Sequence, residues 1–393
     1  MNPRLSGLLW GLLGIFLIGY GLVAFNAGTK IAPALSTSAN ADETVGYIMA
    51  QADQGMSMAN TPEAEVLPFW INLIARLESS EYVHGSDSIM QTEQHFYAMG
   101  ETKRTVLSTH MMLGLVIMAT GFFQFWPAFR RKHRRMHRVL GVAYIAAAFA
   151  SMSMSGYYLV NNPIADTYNE FVFYIGLWVL LVISLLSISI AGFAIFKRNI
   201  ALHLGWQALA FGCFLSAPIQ RALWVGLAPV SDGVSFNETN MLVNVSLYAF
   251  CWLSAYLLFY LNRNSSSLRG ESAEPATVKP VLQLGVGSLF LGLWVITLLF
   301  YLVWPGLAGS EFIQRLVPTT AVQWHDSIMG SPPDWVLMVA LTLLLLAGSR
   351  LLLASSGAKD IGKGTVTVLL AAALTITAIY LSWGSELGWS THG

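Results

Sequence analysis

The sequence predicts an all-α polytopic membrane protein of about nine transmembrane helices with a four-helix up-down core, and three observations carry that prediction. Of 393 residues, 55% are hydrophobic and 11% charged, whereas soluble domains carry about 25% charged residues. Uncharged apolar runs long enough to cross a hydrocarbon layer about 30 Å thick recur along the chain. The cations are segregated between the runs: residues 130–141, RRKHRRMHRVLG, place six cations and two histidines between two apolar stretches. Such a basic turn is cytoplasmic by the positive-inside rule. With that orientation 15 of the 21 Lys and Arg fall on the cytoplasmic side.

The composition also excludes classes of function. Lys plus Arg and Asp plus Glu balance at 21 each, so no basic surface apart from the membrane rims points to nucleic acid. Cys213 and Cys251 lie inside apolar runs and are expected to pack as small hydrophobes, with no disulfide framework.

Residues 1–27 form the N-terminal transmembrane helix. Its stretch 5–25, LSGLLWGLLGIFLIGYGLVAF, is uncharged, and Arg4 before it keeps the N-terminus cytoplasmic. ANA near residue 41 resembles a signal-peptide cleavage site, but the apolar stretch exceeds the usual signal core, so a retained span is expected. Gly7, Gly11, Gly14, Gly19 and Gly21 give it a small face with one GxxxG step, read as close helix packing. Residues 28–105 are an external polar loop region. Within it, Val66, Phe69, Trp70, Leu73, Ile74 and Leu77 have helical spacing and predict a helix over 63–82 lying on the outer surface or capping the bundle.

Residues 106–262 are the histidine-containing core plus one helix. Four spans, 106–126, 139–160, 170–196 and 200–227, are joined by short connections that make consecutive helices antiparallel neighbours. A helix over 241–261 returns the chain to the cytoplasm, and 263–280 is a Ser-rich cytoplasmic linker. Residues 281–393 hold three further spans, at 281–304, 335–353 and 365–383, which leave the C-terminus external.

Ionisable side chains at the edge of spans are expensive and mark candidate sites. His137 and His203 begin the second and fourth core helices at the cytoplasmic rim. Helix axes about 8 to 10 Å apart put diagonal corners roughly 11 to 14 Å apart, which suits two imidazoles reaching one metal between them. Haem iron with two axial histidines fits that gap, and Arg134, Arg138 and Arg198 stand at the same rim for its propionates. The plainer reading is that both histidines are interfacial anchors. His133 lies within the basic run and is expected to be a solvated loop residue. On the outer side His110, Glu170, Gln220 and Arg221 suggest a polar site for a quinone, metal chelate or other small substrate. A Glu170–Arg221 ion pair is the plainer reading there. Pro218 is expected to bend its helix.

These residues carry a resemblance. His110 with Gly114 and Gly121, HRVLGVAY at 137–144, and His203 followed by Arg221 resemble the bacterial predicted membrane proteins of domain of unknown function 2306. The likeness covers about residues 106–225, with Leu204 where that family usually has Arg. More distantly, the core is similar to the di-haem transmembrane cytochromes b, whose four histidine ligands lie on four consecutive helices. Only His137 and His203 match in position, so that resemblance implies one haem b. The leading expectation is therefore a cytochrome b-like one-electron carrier of the inner membrane, embedded in the lipid bilayer, with a quinone or redox protein as partner. The alternative is a non-haem transporter or an accessory subunit of a membrane complex.

Overall fold

The computed structural model describes residues 3–33, 69–78, 82–83, 88–162, 170–227 and 236–263. All the secondary structure of these residues is α-helical. The three spans expected in 281–393 lie outside the described residues. The chain divides into two compact units, Met1–Tyr168 with Gln220–Met241, and Asn169–Ile219 with Leu242–Gly393.

The first unit contains α1 (Pro3–Ile31), α2 (Phe69–Leu77), α3 (Ile89–Ala98), α4 (Glu101–Phe125), α5 (Pro127–Lys132) and α6 (Arg134–Asn161). α1 packs antiparallel against α4 along Gly14, Gly21 and Gly28. A Cβ on these glycines would stand 2.7 Å from the Phe122 ring, 3.1 Å from Leu115 Cα and 2.8 Å from the Ser108 carbonyl oxygen. Gly7 and Gly11, the expected GxxxG step, meet nothing within 4 Å, and neither does Gly19. The packing face is therefore a seven-residue repeat of small residues, close to two helical turns, which keeps one narrow stripe against the neighbour. The Arg104 side chain, on α4, donates from Nε to the Ile31 carbonyl at 3.1 Å. It closes the last turn of α1 where the exposed carbonyls and the helix dipole favour a cation.

Between α4 and α6 the basic turn folds into the short helix α5. Trp126 is extended (ψ 106°), as the residue before a proline must be, and Pro127 occupies the first helical position. His133 caps α5 and precedes α6, exposed and 5.3 Å from the Phe129 ring. Arg134 and Arg135 occupy the first turn of α6, where cations oppose the helix dipole. Their placement serves the membrane rim rather than the helix. α6 returns antiparallel along α4: His110 faces Ser151, and Gln124 Nε2 donates to the His137 carbonyl at 3.1 Å.

The second unit is built on α7 (Glu170–Phe196) and α8 (Ile200–Phe214). Their tight turn depends on Arg198, whose φ of 56° is the left-handed conformation that ends many helices. Asn199 then caps α8, its Oδ1 accepting from the Leu202 N–H at 3.0 Å. Residues of α10 (Phe236–Arg263) from Leu242 onward also belong to this unit. Both cysteines are free and buried, as small core residues are.

The span expected over 200–227 is broken. α8 ends at Phe214, and α9 (Ser216–Leu227) follows with a bend of 42°. Pro218 has no N–H to offer the Phe214 carbonyl, so the ladder must break in the turn before it. It resumes where Ile219 N–H reaches the Leu215 carbonyl at 3.0 Å.

Four described helices, α1, α4, α6 and α7, are long and apolar enough to cross a membrane, and the bent pair makes five. The helix expected over 241–261 is α10, whose sequence there is uncharged; Phe250–Phe259 is an apolar stretch among its described residues.

Candidate functional site

His137 and His203 each occupy the fourth position of their helices. Their N–H groups bond the carbonyls just before the first turn, His133 at 2.9 Å and Asn199 at 3.0 Å. His137 belongs to the first unit and His203 to the second. The His203 ring is held by Nδ1 to the Ala191 carbonyl of α7, 3.0 Å away. That bond makes Nδ1 the protonated nitrogen and Nε2 the acceptor, the tautomer that metal-ligating histidines adopt. Arg134, Arg138 and Arg198 are exposed. Among the described residues, no three His, Cys, Asp or Glu side chains are grouped to hold a metal ion.

The other end of the first unit carries a denser constellation. Gln220 and Asn240 are buried, and Asn240 Oδ1 accepts from Gln220 Nε2 at 3.1 Å and from Trp224 Nε1 at 2.9 Å. Gln220 Oε1 in turn accepts from Arg221 Nη1 at 2.9 Å. The Arg221 guanidinium stands over two indoles, 4.9 Å from the Trp224 ring and 5.6 Å from that of Trp70 on α2. Trp224 also meets Phe236 edge-on at 4.9 Å, and Phe236 meets Tyr82 likewise at 5.5 Å. This aromatic frame fixes the cation in an orientation, because guanidinium planes are attracted to ring faces.

Glu93 on α3 feels the charge of Arg221. It is 1% exposed, and its Oε2 has no hydrogen-bond partner among the described residues. Burial pushes its carboxyl up to about 8, against the opposing pull of Arg221. Glu78, after α2, is raised to about 7 by burial alone.

Arg221 also interacts electrostatically with His110 and Tyr20. His110 is itself held by α6: its Nδ1 lies 3.0 Å from the Ser151 carbonyl and 2.9 Å from Ser151 Oγ. Of the expected outer residues, His110, Gln220 and Arg221 thus share the first unit. Glu170 opens α7 in the second, with its side chain outside the described ones.

Glu93, Trp70, Trp224 and Asn240 were not among the residues expected here. Glu93 has a signal in the sequence. Ile89, Met90 and Glu93 share one buried face of α3, so the carboxylate occupies a position at which an amphipathic helix would carry an apolar residue.

Residues 107–261 match the sequence model of a family described as predicted membrane protein, domain of unknown function 2306. The matched stretch runs from α4 nearly to the end of α10. No curated protein and no solved structure matches the chain. The chain is an integral membrane protein on this match and on its apolar helices.

Proposed function

We propose that the protein is a transporter-class membrane protein that binds a small oxyanion, a carboxylate or phosphate-type group, at Arg221. The observation that carries this reading is the company Arg221 keeps: a neutral amide oxygen and two indole faces. Burial drives the nearby carboxyl of Glu93 toward its neutral form. A fixed, half-buried cation with neutral neighbours favours an anion in the same low-dielectric space. The guanidinium fork supplies paired donors for it, and Gln220 and Asn240 hold the fork in place.

Benzoate and inorganic phosphate are suitable probes. Either should raise the melting temperature of the detergent-solubilised protein, since a ligand at about 100 times its Kd adds about 2.7 kcal/mol. Arg221→Gln should abolish the shift while melting close to wild type without ligand. Equal shifts in both proteins would sink the assignment.

The orientation is inferred from the cations. With the basic turn in the cytoplasm, the Arg221 end is external and the protein lies in the inner membrane. Reporter fusions after Arg135 should read as cytoplasmic and fusions near residue 90 as external. An external signal from the basic turn reverses the whole arrangement.

The second reading is a one-electron carrier with haem b, favoured by the Nδ1 bond of His203 to Ala191. His137 and His203 would ligate the iron, and Arg134, Arg138 and Arg198 would pair with the propionates. Bound haem supplies the redox chemistry, while the residues set ligand orientation and charge. Protein made with ample haem should then show a Soret band and a sharp reduced α-band, lost in His137→Ala and in His203→Ala and kept in His133→Ala. Absence of the band, or its survival in both variants, removes this reading.

A further inference from the structure

We propose that Glu93 is a proton site coupled to Arg221, so that the oxyanion and a proton bind together. This rests on the oxyanion reading and goes beyond it by naming what accompanies the anion. The geometry has two parts. Glu93 is fully buried on the same face of α3 as Ile89 and Met90, which are 0% and 1% exposed. Its Oε2 has no hydrogen-bond partner among the described residues. A buried carboxylate with an oxygen lacking a donor is costly, and such a group takes up a proton instead. Protonated, the same oxygen becomes a donor, able to hydrogen-bond an anion held by the neighbouring cation.

Arg221 on α9 also acts electrostatically on His110 of α4 and Tyr20 of α1, and His95 lies on α3 itself. Arg221 is the one whose charge acts on Glu93. It favours the ionised carboxyl and so works against burial. An anion on Arg221 cancels that influence, which raises the proton affinity of Glu93. By linkage, protonation of Glu93 strengthens anion binding by the same factor. Well below about pH 8 the carboxyl is already protonated and anion binding moves no proton. As pH rises through that value, binding takes up a proton and affinity falls, by at most about tenfold per pH unit.

Calorimetric titration of the solubilised protein with benzoate, in two buffers of different ionisation enthalpy between about pH 8 and 9, counts that proton. Wild type should take up a substantial fraction of one proton per benzoate. Glu93→Gln, which keeps the neutral shape, should bind benzoate with an affinity independent of pH and no uptake. Benzoate binding to wild type without proton uptake overturns this proposal alone, whether or not the variant folds. Equal uptake in Glu93→Gln also overturns it, because another group then carries the proton. Failure of both benzoate and phosphate to bind wild type at any pH overturns the oxyanion reading together with this one.

Discussion

Gly212→Ala is expected to destabilise the second unit severely, although alanine is the better helix former. The added methyl would stand 2.5 Å from the Cys251 carbonyl oxygen and 2.9 Å from Ala255 Cβ of α10. Neither neighbour is the loose end of a flexible side chain, so α8 and α10 must separate along their length. Overpacking costs about 1–3 kcal/mol where side chains can adjust, and a backbone clash in a fixed helix pair belongs at or above the top of that range. Helix contacts in a bilayer depend on close packing rather than on expelling water, which makes the loss hard to recover elsewhere. Gly192→Ala on α7 is the matched control. That position meets nothing within 4 Å, so the change should be neutral or gain up to about 1 kcal/mol from helix propensity. Melting temperatures in one detergent compare the two. A Gly212→Ala protein as stable as Gly192→Ala would mean that α8 and α10 do not pack as described.

The contrast between these glycines shows where the sequence is legible. Long apolar runs between polar segments mark helices directly, and α7 begins and ends where its run does, at Glu170 and Phe196. The basic turn and the break ahead of Pro218 are equally readable, because each follows from one local rule about charge or a missing N–H. Which helices touch is a different matter. The pairing of α1 with α4 depends on Gly14, Gly21 and Gly28, and five further glycines or alanines on α1 hide that stripe. The four-helix core was expected from 106–227 alone, and α1 was not assigned a partner within it.

The candidate site divides along the same line. Arg221, Gln220 and His110 stand out as polar residues in apolar surroundings, which a hydropathy reading detects. Trp70 is legible only as one apolar position of the helix predicted over 63–82, and Glu93 only as a carboxylate at an apolar position of α3, and neither pattern says that it meets Arg221. Their importance comes from burial: α3 is only ten residues long, yet it sets Glu93 at 1% exposure. Asn240 lies one residue before the helix expected over 241–261, and its Oδ1 is the acceptor that ties Gln220 to Trp224. Such networks join residues some 20 positions apart through tertiary contact, and no periodicity announces them.

Gly28→Ala should carry the second large loss, and it tests the contact that the sequence left open. A Cβ there would lie 2.8 Å from the Ser108 carbonyl oxygen, 2.8 Å from Met112 Cγ and 3.2 Å from Met112 N. Met112 can swing aside, but the α4 backbone cannot, so the end of α1 has to lift. Lifting it would strain the Arg104 bond to the Ile31 carbonyl, which closes that helix end three residues later. The expected cost is about 1–3 kcal/mol in the solubilised protein. Gly11→Ala, with nothing within 4 Å, should be neutral or slightly stabilising. Because Gly28 and Arg104 act on one helix end, Arg104→Ala should cost less in the Gly28→Ala background than in wild type. Strict additivity of the two changes, or equal effects at Gly11 and Gly28, would contradict the packing of α1 on α4.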